Sequence, residues 1–359
     1  MRVWGMLSGL GVATVVAATG MTVGGAAEAA CKDNWKECAG KAWVDGDKME
    51  TPLGSKWWPN PLWGEGDEAG STNWYTQPEV IARALAANAG TGKVYKLGHP
   101  YTADMPLFGA RKFSLRIPGI PTGVNDGLGG NKVTWNDEFL ATEVGQVGTQ
   151  FDGLGHIGVT MGAAGDMSSM RWYNGFTATD MHNSYGLNKL GTEKLNPIVA
   201  RGILIDVAAI WGKDMVAGDL ITMEHVNKAL EAQGMAGFEF AAGDAIAIRT
   251  GWEQHWGDPA TFNAGCPGIG MEVARWIAED VQAGVTVFDT WPGDAVPNPD
   301  PACVFCVHTF LQPRHGIVNQ ENAKLSELAA DGVYVFTYMY SPAPIAGATG
   351  SMGAPIAIN

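Results

Sequence analysis

The sequence is short of positive charge and of long apolar segments. Lys and Arg together number 23 against 37 Asp and Glu, which gives a formal net charge of −14 at pH 7. No basic cluster offsets this acidity, so binding to nucleic acid phosphates or to anionic lipid is disfavoured. Beyond the first 25 residues, no stretch reaches the roughly 18 apolar residues that a membrane-spanning helix needs.

Cysteine and the common nucleophile motifs are also scarce. The spacing of Cys303 and Cys306 is that of a redox motif or of half a zinc site, but no second such pair exists to complete a zinc knuckle. A disulfide is therefore favoured, with Cys266 as one candidate partner, and Cys31 can pair with Cys38 in a small loop. The chain lacks Gly-x-Ser-x-Gly as well, which disfavours a serine hydrolase.

The N-terminal segment has the composition of a secretory signal peptide. Arg2 precedes a run of small and apolar residues, and Ala27-Glu28-Ala29 gives a small-x-small cleavage pattern. We therefore expect cleavage after residues 1–29 and a periplasmic or secreted protein that is free of the membrane, with an uncleaved anchor as the alternative. Residues 30–75, rich in Trp, Gly and Pro, are predicted to form an irregular N-terminal arm.

Predicted strands and helices alternate along the rest of the chain. Apolar residues make up 46% of the sequence and charged residues 17%, enough apolar material for a sizeable core. The alternation predicts one mixed α/β domain over residues 76–359 rather than an all-β sandwich. Strands are predicted at 93–97, 113–117, 202–208, 244–250, 285–289 and 333–339, and helices at 77–88, 222–233, 270–281 and 321–330.

The densest polar cluster lies in the glycine-rich segment 146–156. If this segment is a strand, Gln146, Gln150 and Asp152 point to one face, because side chains of an extended chain alternate. Three oxygen-bearing side chains on one face can converge on a cation. The glycines that follow permit a sharp turn that brings His156 back over the same point.

Two other interpretations of this segment compete with a cation site. Residues 153–158 match Gly-x-Gly-x-x-Gly, but a dinucleotide fingerprint needs a strand before it and a helix after it, and the following residues are Gly-rich. Alternatively, Asp152 only caps a turn and His156 is solvated.

The same segment resembles the signature of the cyclase family, which includes bacterial kynurenine formamidases and isatin hydrolases. That signature is His-x-Gly-Thr-His-x-Asp-x-Pro-x-His, and the spacing here gives Gln146-Val-Gly-Thr-Gln150-Phe-Asp152-Gly-Leu-Gly-His156. Further similarities lie, in family order, at 201–206, 243–252, 267–270 and 308–321. The resemblance covers about residues 55–345 and implies a single swivelling-type domain with a mixed, barrel-like sheet flanked by helices.

The resemblance also implies a metal site and a proton-transfer residue. It assigns a divalent metal to Asp152, His308 and Glu321, and the acid–base role to His156. Gln146 and Gln150 replace the two leading histidines of the signature and are carried over as candidate ligands.

The identity of the metal is expected to follow from its ligands. The resemblance suggests manganese or zinc, with magnesium a further candidate, and amide oxygens favour the harder ions over zinc. Two of the residues also have purely structural interpretations. His308 can be a core histidine near Cys306, and Glu321 can be a carboxylate that the dipole favours at a helix start.

The function implied by the resemblance is that of a metal-dependent hydrolase of an aryl formamide or a cyclic amide or imide. Phe108 and Trp291 are candidates to line its pocket for a small-molecule substrate. A homo-oligomer and a link to tryptophan catabolism are further implications, although export is an odd setting for that pathway. The alternatives are a lactone-forming cyclase or lyase on the same scaffold and an exported, non-catalytic small-molecule binding protein.

Overall fold

The computed structural model describes residues 58–88, 90–160, 163 and 165–359. The predicted signal segment 1–29, the first part of the N-terminal arm, Cys31 and Cys38 lie outside these residues. Within the described part of the arm, residues 58–69 contain no helix, and Gly70–Thr76 forms a 3₁₀ helix.

A nine-stranded mixed sheet forms the centre of the described structure. Its order is β1-β9-β7-β3-β4-β5-β6-β2-β8, and the four strands from β3 to β6 run parallel. All other neighbours in the sheet pair antiparallel. The strands are β1 Val94–Lys96, β2 Gln150–Asp152, β3 Ile198–Asp206, β4 Ala245–Arg249, β5 Val285–Phe288, β6 Val318–Glu321, β7 Val335–Tyr340, β8 Gly350–Met352 and β9 Ile356–Ile358.

Both faces of strands β3 and β4 are buried, which explains the apolar runs at 202–205 and 245–248. In β3, Ile203 and Ile205 belong to one hydrophobic cluster and Leu204 belongs to the other, on the opposite face. Successive side chains of a strand point to opposite faces, so a strand covered on both sides has no polar face. The sheet curls into a half-barrel flanked by helices, and this confirms the mixed α/β, barrel-like fold expected from the sequence.

Helices cover the sheet. Met223–Ala232 begins after Thr222, as predicted, and Thr222 and His225 form a reciprocal capping arrangement. The predicted helix at 270–281 is α-helical at its start and continues as a π-helix over Trp276–Val281. The α-helices are α1 Pro78–Ala86, α2 Ala178–Met181, α3 Val207–Ile210, α4 Met223–Ala232, α5 Pro259–Asn263, α6 Met271–Arg275, α7 Cys306–Thr309 and α8 Ser326–Ala330.

Short elements lie outside the central sheet. The predicted strand at 113–117 forms a hairpin, Phe113–Arg116 paired with Phe139–Thr142, rather than joining the centre. A second π-helix, Phe310–Arg314, extends α7. The other pairs are Leu220–Ile221 with Gly268–Ile269, Val159–Thr160 with Met170–Arg171, and His182–Asn183 with Gly186–Leu187, and the remaining 3₁₀ helices are Met167–Ser169, Tyr173–Gly175, Thr192–Lys194 and Trp252–His255.

Two local predictions were wrong. The helix predicted at 321–330 begins only at Ser326, because Glu321 pairs with β2 as the last residue of strand β6. The helix is capped at its start by Glu253, whose carboxylate accepts hydrogen bonds from the amides of Leu325 and Ser326. The cysteine pairing also differs, because Cys303 bonds to Cys306 and leaves Cys266 as a buried thiol.

Among the described residues, no helix has the length and apolarity needed to cross a membrane.

Candidate active site

The pairing of β2 with β6 sets the floor of the candidate site. The two strands run antiparallel, with Gln150 opposite Glu321 and Asp152 opposite Asn319. Residues two apart on a strand share a face, so all four polar side chains lie on one face of this ladder. Phe151, between them, is fully buried in the hydrophobic cluster on the other face. Only Gln150–Asp152 is a strand, so the condition of one strand from Gln146 to Asp152 is not met, although the Gln146 side chain still contacts Asp152.

Glycines make the turns on both sides of β2 possible. Gly148 has a φ of +63°, and a Cβ there would lie 2.5 Å from the Tyr101 ring. A Cβ at Gly153 would lie 2.9 Å from the carbonyl oxygen of Thr349. After Gly153 the chain turns, the amide of His156 donates to the Gly153 carbonyl, and His156 Nε2 comes to 3.9 Å from Asp152 Oδ1.

His308 reaches the floor from α7 and is held by Asp294 behind it. Its Nδ1 lies 2.7 Å from Asp294 Oδ2 and its Nε2 lies 2.9 Å from Glu321 Oε1. The carboxylate of Asp294 also accepts hydrogen bonds from the backbone amides of Val307 and His308. It therefore caps α7 and fixes the imidazole at the same time. A carboxylate behind a histidine in this way orients the ring and raises its basicity as a metal ligand.

The buried carboxylates strongly perturb each other and the histidine. Burial and the neighbouring charge of Asp152 raise the pKa of Glu321 to about 8. Burial lowers the pKa of His308, but its interactions with the carboxylates of Asp152, Asp294 and Glu321 outweigh that effect and raise it well above its ordinary value. Burial raises the pKa of Asp152, yet the charges of His156 and His308 bring it below its ordinary value. Positive charge close to the carboxylates of Asp152 and Glu321 therefore stabilises their ionised forms.

The donor atoms of Asp152, His308 and Glu321 fit a divalent cation. One ligand atom from each lies within 4.8 Å of the others, and all three side chains are buried. Asp152 Oδ2 is buried with no hydrogen-bond partner, and His308 Nε2 lies 3.7 Å from it. A buried carboxylate oxygen without a donor is costly unless a cation meets it. Two carboxylates and an imidazole are ligands that manganese and zinc accept.

The two glutamines contact the carboxylates through their amide nitrogens. Gln150 Nε2 donates to Glu321 Oε2 at 2.7 Å, and Gln146 Nε2 donates to Asp152 Oδ1 at 2.9 Å. The oxygen of Gln146 accepts a bond from Arg111 at 3.1 Å. Gln146 thus links the Arg111 guanidinium to Asp152, and both glutamines line the cavity.

An aromatic cavity of about 150 Å³ opens over this polar floor. Phe108 and Trp291, the two predicted pocket residues, line it and stack on each other with ring centroids 4.5 Å apart. Phe305 meets Trp291 edge-on, with centroids 6.1 Å apart. His156, His308 and Glu321 also line this cavity, so a flat ring packed against the aromatic side chains would lie next to the polar cluster.

His156 has the environment of a neutral histidine beside a charged cluster. Its side chain is 21% exposed and lines the cavity. Burial lowers its pKa; Asp152 raises it in turn, and the positive charges of His308 and Arg111 lower it further, with a net decrease. A neutral imidazole in contact with the cavity can accept a proton.

The structure brings Asp152, His308, Glu321, Gln146, Gln150, His156, Phe108 and Trp291 together at this cavity. Sequence reasoning missed Asp294, Arg111, Asn319 and Phe305. Asp294 follows a predicted strand, a position where polar residues of α/β proteins often serve a site, and that was the one signal that could have identified it. Arg111 and Phe305 lie in loops and offered no such signal.

The fold and the site define a mixed α/β protein with a buried carboxylate–histidine cluster that could hold a cation, at the carboxyl end of the parallel strand β6. A family model for cyclases matches residues 95–295. The chain therefore belongs to the cyclase family, as its signature segment predicts.

Several solved structures share this fold. One described as a novel cyclase is 28% identical, with a TM-score of 0.69 over 83% of this chain and 96% of that chain. Isatin hydrolase A from Ralstonia solanacearum is 19% identical, with a TM-score of 0.54 over 79% and 99%. An isatin hydrolase bound to the product analogue thioisatinate is 20% identical, with a TM-score of 0.52 over 78% and 98%. No curated protein sequence matches this chain.

Proposed function

We propose that this protein is a metal-dependent hydrolase that cleaves the C–N bond of an aryl formamide or a cyclic aryl amide. One observation carries the proposal. Asp152, His308 and Glu321 converge within 4.8 Å, beside a cavity that also contains His156 and stacked aromatic rings. The isatin hydrolases of similar fold act, by their names, on a cyclic aryl amide.

In this proposal Asp152, His308 and Glu321 hold the metal. When bound, a divalent cation would polarise the amide carbonyl and acidify water at the site. Because His308 Nδ1 is fixed by Asp294, its Nε2 is the nitrogen aimed at the two carboxylates. Binding the cation requires His308 Nε2 to lose its proton, and the raised pKa of His308 makes that exchange dependent on pH.

His156 moves the proton. It accepts one from the attacking water and donates it to the leaving nitrogen, so that water adds across the C–N bond to give a carboxylic acid and an amine. Its lowered pKa leaves the ring neutral and able to accept near pH 7. Asp152 Oδ1, 3.9 Å from His156 Nε2, then stabilises the imidazolium while it carries the proton.

The aromatic walls hold and orient the ring. Phe108 and Trp291 offer stacked faces on one side of the cavity, and Pro292 and Ile157 supply apolar surface around them. Stacking of this kind contributes about 0.5–1.5 kcal/mol beyond area burial. It excludes water from the ring while leaving the amide to face the polar floor.

The test is hydrolysis by the purified protein after chelation and reloading. Formanilide and isatin would be incubated with protein reloaded with Mn²⁺ or Zn²⁺, and C–N cleavage followed by absorbance. The proposal expects turnover that depends on the metal and is lost in Asp152→Asn. Failure of both metals to support cleavage of either compound, in protein that binds the metal, contradicts it.

The oxygen source separates hydrolysis from lactone formation or elimination at the same site. In ¹⁸O-labelled water, a hydrolase places label in the product acid, whereas a cyclase or lyase does not. A protein that binds small aromatic compounds but retains no metal would instead be the non-catalytic binder.

We further propose that the protein is exported and acts as a homo-oligomer. The signal-like composition of residues 1–29 supports export, and fractionation of cells that express the full chain tests it. The oligomeric proposal rests on the family resemblance alone, and light scattering on the purified protein measures the assembly directly.

A further inference from the structure

Arg111 lies on the wall of the aromatic cavity with almost none of its hydrogen-bonding capacity used. It is the one Lys or Arg among the described residues that line this cavity. Its Nη2 donates to Gln146 Oε1 at 3.1 Å, and its guanidinium carbon lies 5.5 Å from the centre of the Phe108 ring. A guanidinium carries five N–H donors, so most of them face no acceptor among the described residues.

No carboxylate of the described part of the chain lies within ion-pair distance of Arg111. Other half-buried arginines of this protein do have such partners, since Arg201 bonds Asp244 at 2.6 Å and Arg249 bonds Asp206 at 2.8 Å. A half-buried guanidinium that is held in place over a cavity and lacks an acid partner is suited to bind one from a ligand.

The neighbours of Arg111 fix its position. Its contact with Gln146 is continued by the bond from Gln146 to Asp152, so the guanidinium is tied to the floor of the site through one amide. Its cation–π contact with Phe108 sets it beside the ring that stacks on Trp291. A flat ligand packed against Phe108 and Trp291 in this cavity would therefore lie next to Arg111.

We propose that Arg111 is a specificity-determining residue that recognises an anionic group, a carboxylate, on an aromatic ligand of this cavity. This inference rests on the proposed function, because it names the class of substrate or product that the same site accepts. The carboxylate that ring opening creates forms from the carbonyl at the cation site, so the group that Arg111 would bind is a second carboxylate, carried by the ring of the substrate. An aryl formamide with a ring carboxylate would use the same contact.

The first experiment measures binding without metal and so does not depend on catalysis. Benzoate and benzamide have nearly the same shape and differ in charge, and calorimetry on chelator-treated protein at pH 7 gives both affinities. We expect benzoate to bind at least about tenfold more tightly than benzamide, as one charge-assisted bidentate contact provides. Arg111→Gln should remove this difference and leave benzamide binding unchanged.

Two further variants sharpen the result. Arg111→Lys keeps the positive charge but loses the planar pair of N–H donors, so it should keep part of the preference for benzoate over benzamide. Arg116→Gln, at an exposed arginine of the neighbouring hairpin, serves as the matched control and should behave as the wild type. Equal affinities for benzoate and benzamide in the wild type, or a preference that survives Arg111→Gln, would overturn the inference. Loss of benzamide binding in Arg111→Gln would overturn it too, since Arg111 would then support the cavity walls.

A second experiment separates this inference from the proposed function. Metal-loaded protein would be given formanilide and 2-formamidobenzoate, and kcat/KM compared in the wild type and Arg111→Gln. We expect at least a tenfold preference for the carboxylated compound, lost in the variant mainly through KM. If neither compound is cleaved while the benzoate preference holds, the proposed hydrolysis fails and the anion site stands. If both are cleaved equally well, the anion site fails and hydrolysis stands.

Discussion

Replacing Glu321 with Gln should stabilise the metal-free protein at alkaline pH and abolish its stabilisation by divalent cations. Glu321 is buried beside Asp152, and burial together with that neighbouring charge raises its pKa to about 8 from an ordinary value of 4.5. Between these two values the folded state holds a proton that the unfolded state has released. Stability attributable to this group therefore falls as pH rises from 4.5 to 8.

The magnitude follows from the size of the shift. Each pH unit of difference corresponds to about 1.4 kcal/mol, so a rise of 3.5 units costs up to about 5 kcal/mol at pH 8 and above. A neutral glutamine has no proton to lose and escapes this cost. Glu321 Oε1 accepts from His308 and Asn319, and its Oε2 accepts from Gln150. A glutamine keeps the first two bonds, and the Gln150 amide can rotate to accept from the new NH₂.

The assay is urea unfolding in chelator between pH 5 and 9, repeated with saturating Mn²⁺. The wild type should lose stability steadily to about pH 8, and Glu321→Gln should lose several kcal/mol less. Mn²⁺ at about 100 times its Kd should raise the wild-type stability by about 2.7 kcal/mol and leave the variant unchanged. Glu327→Gln is the control: Glu327 is exposed and pairs with Lys324, which lowers its pKa, so any pH effect it has lies below pH 5. The reasoning is refuted if Glu321→Gln shows the wild-type pH slope and the wild-type response to Mn²⁺.

Three further outcomes follow from the same contacts. His156→Ala should lower kcat by about 10²–10⁴-fold and leave the metal content unchanged, as turnover assays and metal analysis would measure. His182→Ala is the control, because His182 lies on an exposed hairpin, and it should leave kcat unchanged. Asp294→Asn should weaken metal affinity by about 10–100-fold in a competition titration, because one oxygen that orients the histidine ligand is lost, and wild-type affinity would count against that role. Asp244→Ala should cost about 3–5 kcal/mol of unfolding free energy, because it leaves two arginines without their buried partner. Asp331→Ala, which breaks an exposed ion pair, should cost under about 1 kcal/mol. Equal costs in the two variants would contradict this argument from burial.

The fold was predictable where local pattern and tertiary packing agree. The apolar run around Leu204 and the helix that begins after Thr222 lie close to their predicted positions, because both faces of the sheet are covered and the helix carries its own cap. The start of α8 was not predictable. It is capped by Glu253, which is about 70 residues away in sequence, so no local signal separates the end of strand β6 from the helix.

The residues of the candidate site were predictable, but the hydrogen bonds and strand register that bring them together were not. The spacing from Gln146 to His156 carried the family signature, and the glycines forecast a turn that the structure contains. The antiparallel register that sets Gln150 opposite Glu321 depends on pairing between strands about 170 residues apart, which one sequence does not encode locally. For the same reason, the donation of the Gln146 amide to Asp152 and the contact from Arg111 could not be foreseen.

The most direct test of the account is the position of a bound metal. Crystals soaked in Mn²⁺ and measured at the manganese absorption edge should give one strong anomalous peak within bonding distance of His308 Nε2 and of carboxylate oxygens of Asp152 and Glu321. Crystals of Asp152→Asn should show that peak weakened or absent. A peak elsewhere in the molecule, or full occupancy that persists without the Asp152 carboxylate, would contradict the account.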